Sequence, residues 1–184
     1  DISIKYVSLI DLKGWEYGIT KKTKLIYLET PSNPLNEIAD LEGIAKLAKQ
    51  FKVITIVDNC LCTPVIQKPL NHGIDLVLHS ATKFIDGQGR VLAGAVIGKT
   101  KLIDKIKIIV RTSGPALAPF NAWILFRSLE TLSVRMNAQS ESASKIASWL
   151  EKNEQISQVF YPGLESNPQH KIAMYQQSNG GAIV

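Results

Sequence analysis

The stretch V-D-N-C-L-C-T-P-V-I-Q-K-P-L-N-H-G-I-D-L-V-L-H-S-A-T-K-F-I-D-G-Q-G-R, residues Val57–Arg90, decides the fold. It starts at the end of one β-branched run, Val53–Val57, and contains a second apolar run, Asp75–Leu78. Short unbroken runs of this kind fit strands covered on both faces, as in a parallel sheet. Parallel strands bring their carboxyl ends to one edge, and ligands bind in the crevice there. Asp58 follows the first run, and Ser80, Thr82 and Lys83 follow the second. The spacing predicts a carboxylate facing two hydroxyls and an amine.

Upstream, Leu25–Leu28 is an apolar strand ending in Glu29-Thr30-Pro31-Ser32-Asn33-Pro34, whose prolines stop regular structure and set a loop at the same edge. Asp40 can cap a helix in which Leu41, Ile44, Ala45, Leu47, Ala48 and Phe51 recur at helical spacing. Strand, helix, strand in that order predicts a parallel crossover. Residues Asp1–Thr23 read as a strand over Lys5–Leu9 and a short helix or turn over Asp11–Thr20. Downstream, Asp86–Arg90 reads as a flexible turn, Val91–Ile97 as a strand and Lys101–Val110 as a basic amphipathic segment. Arg111–Pro119 is a loop, and Phe120–Leu150 shows one or two long helices with apolar residues at helical spacing. Val159–Tyr161 and the segment from Gly180 read as short strands.

The chemistry of the edge is specific in combination. Ser80 and Thr82 can place two hydroxyls on one anion, with backbone N–H groups of the turn beside them. Lys83 adds a primary amine, and Asp58 could hold a proton on a ring nitrogen. Phosphate seat, imine-forming lysine and acid partner for a pyridinium are what pyridoxal phosphate requires. Taken singly, each residue has a plainer reading: Asn33 as a turn former, Asp58 as a loop residue, Lys83 as solvated surface.

The totals exclude other classes. The 184 residues are 45% hydrophobic and 20% charged, which fits a soluble globular chain. Net charge is +5, but the lysines are scattered without flanking aromatics, so no nucleic-acid partner is expected. No apolar run approaches the ~20 residues of a membrane span. Cys60 and Cys62 lack zinc-ligand spacing and read as reduced thiols of a cytoplasmic protein, and the three histidines stand singly, so no metal is expected. Gly94 and Gly98-Lys99-Thr100 are one residue too close for a phosphate-binding G-x-x-x-x-G-K-[ST] loop.

H-S-A-T-K-F-I-D-G-Q-G-R, together with R-T-S-G-P-A-L-A-P-F-N-A-W over Arg111–Trp123, resembles the transsulfuration group of pyridoxal-phosphate enzymes. That group holds cystathionine synthases and lyases, methionine γ-lyase and acyl-homoserine sulfhydrylases, and the two segments are most similar to the sulfhydrylase branch. The resemblance implies an α/β fold with a mostly parallel sheet of fold type I. It implies part of a cofactor-binding large domain over residues 1–120, a connecting helix over 121–150 and the start of an α+β carboxyl-terminal domain over 151–184. It implies pyridoxal 5'-phosphate covalent to Lys83, with Asp58, Ser80 and Thr82 as cofactor ligands. Asn33 inherits a contact to the cofactor's ring hydroxyl and the substrate side. The partners implied are an amino-acid substrate and further copies of the chain in a homo-oligomer. The family's glycine-rich phosphate loop, ring-stacking aromatic and substrate-carboxylate arginine have no match here, so a longer parent chain is expected. Ala118 and Ala116 stand where hydroxyl residues are usual. A folded but non-catalytic, self-associating domain is the alternative expectation.

Overall fold

The computed structural model describes residues 1–184. Four strands form one sheet in the order β1 (Leu25–Glu29), β2 (Ile54–Asp58), β3 (Leu76–Ser80) and β4 (Gly94–Gly98). The first three run parallel, and β4 returns antiparallel to β3. Register fixes the edge: Glu29 pairs with Asp58, Asp58 with Leu78, and Ser80 with Gly94. All three parallel strands therefore end together, as expected.

Alternation decides which face is covered. Ile26, Leu28, Thr55, Val57, Val77 and His79 are buried. The apolar members of this face join one cluster with Trp15 of α1 (Leu12–Gly18) and with Leu41, Ile44 and Ala48 of α2 (Leu41–Phe51). α2 forms where the pattern predicts: Asp40 Oδ1 accepts from the Gly43 N–H at 2.8 Å, and Lys52 ends the helix in a left-handed conformation. Full burial of Leu41 and Ile44 contributes about 1.5–3 kcal/mol each. On the opposite sheet face Leu25, Tyr27, Ile54 and Val96 remain exposed.

The link from β2 to β3 is irregular, with α3 (Thr63–Ile66), a 3-10 turn over Pro69–His72 and Gly73 at positive φ. After β3 a five-residue π turn, Ala81–Ile85, carries Lys83. Beyond β4 come α4 (Thr100–Ser113) and a single 33-residue helix, α5 (Pro119–Glu151), followed by α6 (His170–Gln176). No helix is long and apolar enough to cross a membrane.

The carboxyl-terminal segment is docked by amides, which the sequence pattern does not reveal. Gln169 accepts from the Ile38 N–H at 3.0 Å, and Gln176 donates to the Ala39 carbonyl at 2.9 Å. Buried Gln67 donates to the Thr30 carbonyl and to Asn59 Oδ1, and accepts from Gln177. These bonds brace the loop that carries Asn33.

Three expected strands do not form. Residues 1–8 hold no regular structure, because no neighbouring strand offers them a ladder, and Ile2, Ile4 and Tyr6 face solvent. Neither Val159–Tyr161 nor residues 180–184 are strands; the Asn36 side-chain amide bridges the carbonyls of Phe160 and Ile183 instead. The strand expected from Val91 begins at Gly94.

Candidate active site

Asp58 ends β2 with both carboxylate oxygens engaged: Oδ1 accepts from the Cys60 N–H at 3.0 Å and Oδ2 from the Tyr27 hydroxyl at 3.3 Å. Each oxygen still has lone-pair capacity for a further donor. Cys60 then joins the two halves of the edge, because its Sγ accepts the Ser80 N–H at 2.6 Å. Cys60 thus ties the ends of β2 and β3 together, its backbone N–H on Asp58 and its Sγ on the Ser80 N–H.

The hydroxyls differ in their availability. Ser80 is half-buried and its Oγ has no partner within the chain, whereas Thr82 Oγ1 donates to the Ala93 carbonyl at 3.3 Å and accepts from the Ala93 N–H at 3.2 Å. Thr82 must therefore turn from the β4 approach to serve an anion. Lys83 is exposed, forms no ion pair, and has φ −81° and ψ −122° within the π turn. Its amine is free to meet a ligand. Asn33 is also exposed.

Electrostatics at the edge follow from burial and from Asp58. Burial, then the Asp58 charge, raises the Glu29 carboxyl above its usual range. Burial and Asp58 likewise raise Tyr27, so its hydroxyl stays a donor. The Cys60 thiol is pushed up to about 12 by burial and by its hydrogen bond with Asp58. Cys62, wholly buried, is raised by burial alone. Neither thiol is a nucleophile at neutral pH. Burial lowers His79 despite the nearby Asp58, leaving a neutral imidazole whose Nδ1 has no partner.

Asp86–Arg90, expected to be a flexible turn, is instead pinned. The Asp86 side chain is fully buried and takes the Arg90 N–H at 2.7 Å and Arg90 Nε at 2.9 Å, and Arg90 Nη2 donates to Ser128 Oγ at 2.6 Å. Arg135, from α5, donates to the carbonyls of Phe84 and Ile85 at 2.7 and 3.1 Å. The sequence reading missed Tyr27, Cys60, Arg90 and Arg135. Tyr27 was within reach, since it lies two residues before Glu29 on the face of Asp58; Arg135 carried no local signal.

The residues fit a phosphorylated aldehyde cofactor: an unengaged amine and a free hydroxyl where β3 ends, and an oriented carboxylate at the end of neighbouring β2. A parallel-sheet edge so equipped defines a cofactor-binding domain of the α/β class. The family model for Cys/Met metabolism PLP-dependent enzymes matches residues 1–184, and the chain belongs to that family. It is 48% identical to the O-succinylhomoserine sulfhydrylase of Pseudomonas aeruginosa over 183 residues, which is 100% of this chain and 45% of that protein. The cystathionine beta-lyase of Coxiella burnetii is 40% identical over 100% of this chain and 48% of its own length. Among solved structures, cystathionine gamma-lyase from Lactobacillus plantarum complexed with L-serine superposes with a TM-score of 0.94 at 41% identity, covering 97% of this chain and 47% of that one. The chain spans about half the length of the curated relatives it matches. The family is pyridoxal-phosphate dependent, and its members hold the cofactor covalently on a lysine.

Proposed function

We propose that the parent enzyme catalyses γ-replacement on an O-acylhomoserine, O-succinylhomoserine with sulfide giving homocysteine and succinate, in methionine biosynthesis, and that this chain supplies its lysine side. The observation that supports the reading is the link from Asp58 through Cys60 to Ser80 at one sheet edge, with Lys83 three residues further on in the turn that follows β3. The sulfhydrylase branch is favoured by the 48% identity over the whole chain. We read residues 151–184 as the start of the second domain and the protein as a cytoplasmic homo-oligomer.

Pyridoxal phosphate, when bound, supplies an electron sink. Lys83 Nζ would hold its aldehyde carbon, yield that carbon to the substrate's amine, and then move protons at substrate Cα and Cβ. A lysine serves this role only as the free amine. Asp58 would keep the ring nitrogen protonated, with its carboxylate oriented by the Cys60 N–H and the Tyr27 hydroxyl. Ser80 and Thr82 would take the phosphate, and Asn33 the ring hydroxyl and the substrate side. Succinate leaves from Cγ, and sulfide takes its place.

Assay of the chain and of its parent with O-succinylhomoserine, sulfide and pyridoxal phosphate tests this. Homocysteine formation that is lost in Lys83→Ala is the expected result for the parent. Release of 2-oxobutyrate from cystathionine or methionine, with no homocysteine from the acyl substrate, would move the assignment to the lyase branch. The exposed sheet face around Leu25, Tyr27 and Ile54 favours one second reading for the chain by itself, a folded domain that self-associates without turnover.

A further inference from the structure

The turn that presents Lys83 is held by charged side chains that the proposed chemistry does not use. Within it the Asp86 N–H bonds the Ala81 carbonyl and the Gly87 N–H bonds the Lys83 carbonyl, both at 2.8 Å. The carbonyls of Phe84 and Ile85 go to Arg135. The guanidinium is itself fixed: Nε donates to Thr131 Oγ1 at 3.1 Å and Nη2 also to the Ser128 carbonyl at 3.1 Å. Ser128 is the junction, because its Oγ receives Arg90, which in turn holds buried Asp86. Gly87 has φ +72°, and a Cβ there would overlap the Arg135 guanidinium. A charged fork and a side-chain-free position therefore meet immediately after the lysine.

The geometry points to Arg135 as a positioning residue for Lys83: its fork on the Phe84 and Ile85 carbonyls sets the π turn that aims the amine across the edge at Asp58. Arg135 touches neither cofactor nor substrate. Its effect passes through two backbone carbonyls, and a guanidinium does this because its planar donors match two adjacent acceptors, which an ammonium cannot do. The inference rests on Lys83 being the imine-forming residue. It goes further by assigning the long helix α5 a part in the site, through one side chain 52 positions after the lysine.

Two readouts test it on the chain as it exists. The first is amide hydrogen exchange over residues 81–90 without cofactor. The second is the rate at which pyridoxal phosphate with cyanoborohydride labels Lys83 relative to the other lysines, read by peptide mass spectrometry. Arg135→Met is expected to speed exchange at Asp86 and Gly87 about tenfold and to slow relative labelling of Lys83 about tenfold, the effect of one lost hydrogen bond to a charged group. Arg135→Lys, which keeps the charge and the helix, is expected to fall between. A purely structural role would lower stability in Arg135→Lys yet leave relative labelling of Lys83 unchanged, and that result overturns the inference. If the unsubstituted chain shows no preference for Lys83 while Arg135→Met still loosens the turn, the functional reading fails, and the catalytic meaning of the clamp fails with it.

Discussion

α2 and α4 carry the same kind of pattern and end differently. Both are amphipathic, and α4 is longer, 14 residues against 11. α2 buries Leu41, Ile44 and Ala48 against the sheet, whereas α4 buries nothing and leaves Ile108 and Ile109 more than half exposed. The contrast continues into α5, whose first turns present Phe120, Trp123 and Phe126 to solvent while Leu132 and Met136 lie in the core behind the lysine turn. Periodicity states which face of a helix is apolar. It does not state that anything in the chain covers that face.

The largest effect should come from the covered face. Ile44→Ala is expected to lower unfolding free energy by about 2–5 kcal/mol in urea titration. The same deletion at Ile109 should cost less than about 0.5 kcal/mol. A comparable loss at both sites would break the contrast. Next comes acid sensitivity of the pinned turn. Burial acts to raise the Asp86 carboxyl, but the Arg90 N–H and guanidinium outweigh it and hold it below its usual range. A carboxyl depressed in the folded state contributes stability that is present above its unfolded value, about pH 4, and is lost as pH falls through the folded value. The urea midpoint should therefore drop as pH falls below about 4, and Asp86→Asn should flatten that limb. Asp40→Ala, which removes the α2 cap, should cost about 1 kcal/mol. Smallest is Trp123→Ser, within about 0.5 kcal/mol in stability, although binding of a hydrophobic dye to the exposed first turns of α5 should fall.

Much of the edge was legible because it is local. The runs Val53–Val57 and Asp75–Leu78, each with polar residues just beyond, lie within the 31 residues Val53–Lys83, and parallel pairing of the first two strands follows from short apolar runs with a helix between. Asp40 and its helix were legible for the same reason. What escaped the reading depends on partners distant in sequence. Arg135 meets Phe84 across 51 positions, and Asn36 meets Phe160 across 124. The missing strands have a related cause: Val159–Tyr161 has strand-forming residues, but an asparagine amide takes the carbonyl that a neighbouring strand would have paired. Asp86–Arg90 looked flexible because its glycines were visible and the burial of Asp86 was not. At Thr82 the local reading is incomplete, since the hydroxyl expected to face an anion also bonds the backbone of Ala93.

If Lys83 is the imine-forming residue, it alone among the lysines is presented to a cofactor aldehyde at the edge that holds Asp58. Incubating the purified chain with pyridoxal phosphate, reducing with borohydride and mapping the peptides tests it most directly. Label concentrated on Lys83 is expected, with weaker retention of the cofactor in Asp58→Asn. Label spread over the exposed lysines in proportion to their accessibility, unchanged by Asp58→Asn, would contradict it.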